Sequence, residues 1–130
     1  MPPAPSAVVE QCYERFANDE LPWDLLAEDI VWDVPMVDAG GEGFHGHAGV
    51  ADFFRRWIGT WEDYSFGVEE TRELPDGRIL SLFWERGRGK GSGAEVELRP
   101  AGIWTVTDGK VVHYRGYLDR DEAMRDAGLA

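Results

Sequence analysis

Few residues in this 130-residue chain have side chains that can do chemistry, and their spacing limits what that chemistry can be. His45 and His47 flank Gly46 at the start of a helical stretch, but no third ligand follows at a metal-site spacing, so no metal is expected. Two readings stay open for His45: a loop histidine bonded to backbone, or an acid or base facing a pocket. Cys12 falls at helical spacing with Val9, Tyr13 and Phe16 and reads as core. Serine, cysteine and histidine form no nucleophilic set. The basic glycine run Gly87-Arg88-Gly89-Lys90-Gly91-Ser92-Gly93 lacks the spacing of a phosphate-binding loop and reads as a solvated hairpin connection. Glu85 and Tyr114 remain as acid/base candidates. Glu85 is either a buried proton carrier or the ion-pair partner of Arg86, Arg88 or another cation. Tyr114 either donates to a ligand oxygen or fills space over Gly102.

These groups must be positioned by the stretch from Glu95 to Leu118, which has the longest alternating pattern and turns at Thr107-Asp108-Gly109. A three-residue turn pairs Val106 with Lys110, Trp104 with Val112, Gly102 with Tyr114, Pro100 with Gly116 and Leu98 with Leu118, making one face nearly all apolar. His113 and Arg115 fall on the other face. Gly102, Gly116 and Pro100 withdraw bulk from the apolar face, as at a bend or a ligand's close approach, and imply a hollow in a curved sheet. With Trp32, Phe54, Trp57, Phe83 and Trp104 around it, that hollow should exceed roughly 300 Å³. Val34, Leu98, Gly102, Gly116 and Leu118 complete the expected ligand-binding set.

Met1 to Pro5 is proline-rich and reads as a tail, with residues 1–6 outside a single domain spanning 7–130. Ser6 is a candidate cap for the first helix, and Pro22 opens a short second one through Trp23, Leu26 and Ala27. Ile30 to Pro35 alternates as a strand with Trp32 and Val34 on one face and Val31 and Asp33 on the other; Asp33 reads as structural. The glycine-rich loop Val37 to Gly43 leads through Phe44-His45-Gly46-His47 to a third helix striped by Val50, Phe53, Phe54, Trp57, Ile58 and Trp61. Tyr64, Phe66 and Val68 alternate along a strand, Pro75-Asp76-Gly77 turns, and Arg78 to Arg86 is apolar on both faces. Asp119 and Glu122 open a last short helix that ends before Gly128.

At 43% hydrophobic residues the chain can core one domain, and its net charge of -12 opposes phosphate backbones and anionic lipid. No nucleic-acid or membrane partner is expected. The unpaired cysteine, with no long apolar run, fits a reduced, cytoplasmic setting.

The element order, the Phe-His-Gly-led helix, Asp108-Gly109-Lys110-Val111-Val112 and Tyr117-Leu118-Asp119 resemble the nuclear transport factor 2-like superfamily and, within it, the SnoaL-like domains. The resemblance covers roughly Val8 to Leu129. It implies an α+β fold: a cone-shaped, curved antiparallel or mixed sheet wrapped around about three N-terminal helices, with a short C-terminal helix (a cystatin-like α+β roll). It also implies an apolar small-molecule ligand, no cofactor, and isomerase, cyclase or hydrolase chemistry or plain binding. The acids and tyrosine of the ketosteroid isomerases fall on Val34, Gly102 and Phe16. The water-activating set of the limonene epoxide hydrolases falls on Gly116, Phe83 and Glu85, and the acid of the polyketide cyclases near Gly116. Only Glu85 is acidic, and the family's strand parity points it into the hollow beside Phe83, Trp104 and Tyr114. The outer face, with Leu80, Leu82, Trp84, Ile103 and Tyr117, is expected to pair two copies in a homodimer, since the last helix looks too short to cover it.

Overall fold

The computed structural model describes residues 2–37 and 41–129. Helix α1 (Pro5–Ala17) begins with proline at its first position, where the missing N–H would have had no helical partner. The helix therefore starts at Pro5 with Ala4 as its cap residue, so Pro5 and Ser6 belong to the folded unit rather than to a tail. Val8, Val9, Cys12 and Tyr13 form its buried stripe. Beyond Pro22 the chain makes only one 3-10 turn (Trp23–Leu25) and then enters β1 (Leu26–Asp33), four residues earlier than the alternation indicated. Of the expected loop between Val37 and Gly43, residues 38–40 lie outside the described residues. Phe44 and His45 form the two-residue strand β2, and α2 (Gly46–Gly59) follows, burying Val50 and Phe53. Trp61, expected on that helix, instead opens β3 (Trp61–Glu73).

The remaining elements are β4 (Ile79–Gly89), β5 (Glu95–Leu98), β6 (Ala101–Thr107), β7 (Lys110–Tyr117) and α3 (Arg120–Asp126). Among the described residues they build one seven-stranded sheet in the order β2-β1-β7-β6-β4-β3, with β5 added beside β4. Among the described residues only β1 and β7 run parallel. The fold is thus α+β with a mixed sheet.

The 95–118 stretch is not one hairpin. The chain breaks at Arg99-Pro100, where proline cannot donate to the ladder, and β5 pairs with β4 alone. The turn differs too. Asp108 (φ 52°) and Gly109 (φ 78°) are both left-handed, the signature of a two-residue turn, so Thr107 faces Lys110 and Val106 faces Val111. The pairing then skips Val112, setting Thr105 opposite His113, Trp104 opposite Tyr114 and Gly102 opposite Gly116. This bulge restores the expected inward parity of Trp104, Tyr114 and both glycines, but beyond it each partner is displaced by two residues from the three-residue register, and Val106 before it by one.

The sheet's concave face holds one apolar cluster, built on α1, α2, Trp32, Trp104 and Tyr114. A second, smaller cluster lies on the opposite face, where Ala123 and Ala127 pack over Leu80, Ala101, Ile103 and Tyr117. The Asp119 carboxylate accepts the Asp121 N–H at 2.9 Å and starts α3 in the direction that places it there. Short as it is, α3 covers the face that was expected to be open. Leu80, Ile103 and Tyr117 are buried, and Leu82 and Trp84 are half-buried. Among the described residues no helix is long and apolar enough to cross a membrane.

Candidate functional site

Between α1, α2 and the concave face lies a cavity of about 830 Å³. Its floor is an aromatic stack: Trp32 lies on Tyr114 at 4.1 Å and 22°, and Trp104 meets Tyr114 edge-on at 4.6 Å. Tyr114 can lie there because β6 and β7 carry glycine beneath it. A Cβ on Gly102 would stand 2.5 Å from Tyr114 Cε1, inside any real contact distance. One end of the floor is polar but satisfied: buried Ser81 meets the Tyr13 hydroxyl at 2.8 Å and accepts from Trp104 Nε1 at 2.9 Å.

Glu85 sits at the other end, 6% exposed and opposite Phe66 of β3. Trp57 Nε1, in the last turn of α2, donates to Oε2 at 2.8 Å, and the Tyr64 hydroxyl donates to the same oxygen. Among the described residues no donor meets Oε1. Neither Arg86 nor Arg88 reaches this carboxylate, because Arg86 bonds Glu97 and Arg88 bonds Asp63. The ion-pair reading is therefore replaced by two neutral donors. Burial pushes the Glu85 carboxyl above its ordinary value, against the opposing hydrogen bonds from Tyr64 and Trp57. Tyr64 is itself raised by burial and by the charge of Glu85, so it stays a donor.

Tyr64 takes part because of a bulge. Glu62 pairs with Arg88 and Ser65 with Arg86, so Asp63 and Tyr64 share the place opposite Gly87, and Asp63 is left-handed at φ 53°. Such a bulge re-aims a side chain, here toward Glu85.

Most of the expected lining is in place: Trp32, Val34, Phe54, Trp57, Phe83, Trp104, Gly116 and Leu118 line the cavity, Leu118 as a half-exposed rim residue. Leu98 does not, because the break at Pro100 carries it onto β5, where it pairs with Glu85. Gly102 does not either, being covered by the Tyr114 ring. Tyr114 lines the cavity, but Glu85 takes its hydrogen bonds from Trp57 and Tyr64 instead. His45 lies outside: it is exposed and its Nε2 meets the Glu42 carbonyl at 2.9 Å. His47 turns to a different carbonyl, that of Leu26, at 2.8 Å and packs on Trp23. The two imidazoles are thereby committed separately. Asp33 binds Arg115 at 2.8 Å and is structural. Tyr13, Tyr64 and Phe66 belong to the site although the sequence did not assign them; the alternation of Tyr64 with Phe66 was the available signal.

Residues 7–114 match the model of the SnoaL-like domain. The chain belongs to that family. Solved structures agree: an NTF2-like protein of unknown function from Burkholderia pseudomallei K96243 is 26% identical, with 92% of this chain and 93% of that one covered and a TM-score of 0.75. An NTF2-like protein from Burkholderia thailandensis E264 is 20% identical over 95% and 96%, with a TM-score of 0.79. TerC, co-crystallized with polyporic acid, is 19% identical over 96% and 99%, with a TM-score of 0.70. No curated protein matches the chain. The superfamily and its cone-shaped fold are those the sequence pointed to.

Proposed function

We propose that this SnoaL-like domain encloses an apolar small molecule in its aromatic cavity and moves a single proton on it with Glu85. The observation that carries this reading is a carboxylate buried among aromatic rings and held at Oε2 by two neutral donors, with no cation beside it and no donor at Oε1 among the described residues. A carboxylate made more basic by burial can take a proton from an activated C–H or from water and return it later, without a cofactor. Trp57 and Tyr64 would keep the carboxylate fixed while Oε1 acts. The reaction class is a cofactor-independent isomerisation, cyclisation or hydrolysis.

A second reading, binding without chemistry, is favoured by the neutral residues at Val34, Gly102 and Gly116, where the resembling enzymes carry acids. Native mass spectrometry of the purified protein tests the common core of both. A co-purified small molecule should appear on the wild type and be missing from Gly116→Leu, whose added side chain enters the cavity. A bare wild-type protein whose tryptophan fluorescence also ignores 1-naphthalenemethanol would overturn both readings.

A further inference from the structure

The cavity's charge pattern narrows the ligand further than its size does. Among the described residues none of the lining side chains is Lys, Arg or His, whereas Asp19, Glu20 and Asp63 stand at the cavity and Glu85 lies within it. A carboxylate or phosphate ligand would meet only like charge there, in a chain already at -12. Buried charges in proteins are normally paired, and the two arginines nearest in sequence are engaged elsewhere, by Glu97 and Asp63. Beside Glu85 the walls are ring faces and edges: Trp57 and Trp61 lie 5.4 Å apart at 70°, and Trp61 and Tyr64 lie 5.9 Å apart. Aromatic walls around an acid form a receptor for a desolvated cation, which gains from the rings as well as from the carboxylate.

Resting on the binding reading of this cavity, in which Oε1 is a charge partner rather than a proton carrier, we infer that its ligand is a lipophilic amine, with the ammonium group between Glu85 Oε1 and the rings of Trp57, Trp61 and Tyr64. The apolar body of such a molecule lies on Phe54, Phe83 and the Trp32–Tyr114 stack. Oε1 accepts an N–H of the ammonium while Oε2 keeps its two donors, so the buried pair is neutral overall.

Three probes of matched shape test this by tryptophan fluorescence and calorimetry at neutral pH: 1-naphthylmethylamine, 1-naphthalenemethanol and 1-naphthoate. The amine should bind at least about tenfold more tightly than the alcohol, as expected for a cation that meets both a carboxylate and aromatic faces, and the naphthoate most weakly. In Glu85→Gln, whose amide oxygen can still accept from Trp57 and Tyr64, the amine's advantage over the alcohol should fall to within about twofold. An alcohol that binds the wild type as well as the amine refutes the inference while leaving the small-molecule cavity standing. An amine preference that survives in Glu85→Gln also refutes it, because the acids at the mouth would then be its cause. Failure of all three probes to bind refutes both the inference and the cavity reading beneath it.

Discussion

Gly102 and Gly116 face each other across β6 and β7, yet alanine at the two positions should have effects of opposite sign. At Gly102 a methyl group would sit 2.5 Å from Tyr114 Cε1 and 2.8 Å from its hydroxyl oxygen. The ring is pinned by Trp32 at 4.1 Å and Trp104 at 4.6 Å, so it can yield only by breaking that stack. Overpacking of this kind costs about 1–3 kcal/mol, and the lower backbone entropy of alanine in the unfolded chain returns roughly 0.5–1 kcal/mol. The difference spans roughly 0–2.5 kcal/mol, so Gly102→Ala should lose on the order of 1 kcal/mol. At Gly116 the nearest atoms to the new methyl are Tyr114 Cε2 at 3.4 Å and Val34 Cγ1 at 3.5 Å, ordinary contact. Gly116→Ala should gain about 0.5 kcal/mol. Urea unfolding, read as midpoint shifts at unchanged slope, measures both. If Gly102→Ala is as stable as the wild type, the close seat of Tyr114 on β6 is wrong, and with it the floor of the cavity.

Burial holds the Cys12 thiol up at about 12, so Ellman's reagent should fail to label the native protein at pH 8 and react fully once urea unfolds it. The raised Glu85 carboxyl makes a signed contribution to stability. The folded state favours the protonated form, so this stabilisation is fully present below the unfolded value of about 4.3 and is lost as pH rises through the folded value. Glu85→Gln should accordingly gain stability relative to the wild type as pH rises from 4 to 8, measured by urea midpoints; a gap that stays constant would show no shift. A homodimer through the outer face remains our proposal, narrowed to Leu82 and Trp84, because α3 covers Leu80, Ile103 and Tyr117. Trp84, stacked on Arg86 at 4.5 Å, is the residue to change: sedimentation velocity should show a wild-type dimer that Trp84→Glu splits. A wild-type monomer would remove the proposal.

The fold was legible where periodicity and turn chemistry agreed. The stripe on α1, that on α2 as far as Trp57, the two-faced apolar pattern of β4 and the Asp119 cap lie where the sequence indicated, whereas Ile58 is half-exposed and Trp61 belongs to β3. Legibility failed at the bulges. The two-residue turn and the skipped Val112 each shift the β6–β7 register by one, so Trp104, Tyr114 and both glycines keep their expected face with new partners, while near the turn Val111 takes the core place expected of Val112. The bulge at Asp63 and Tyr64 has no periodic signature, and it brings to Glu85 a donor that alternation could place only on a face. Judging α3 by its length also underrated it, because two alanines suffice to seat a short helix closely on the sheet. His45 and Leu98 were drawn toward the site by their neighbours in sequence; a backbone carbonyl and a proline break took them away.

Burial in an apolar cavity with no cation among its described lining residues makes the Glu85 carboxyl more basic. A carbon-13 NMR titration of the side-chain carboxyls, with Glu85 assigned through its loss in Glu85→Gln, measures that directly. The resonance should titrate clearly above about 4.3, the ordinary glutamate value, and the shift should grow when the apolar probe 1-naphthalenemethanol displaces solvent from the cavity. A midpoint at or below that value would mean that Glu85 is solvated or paired with a cation, and would contradict the account.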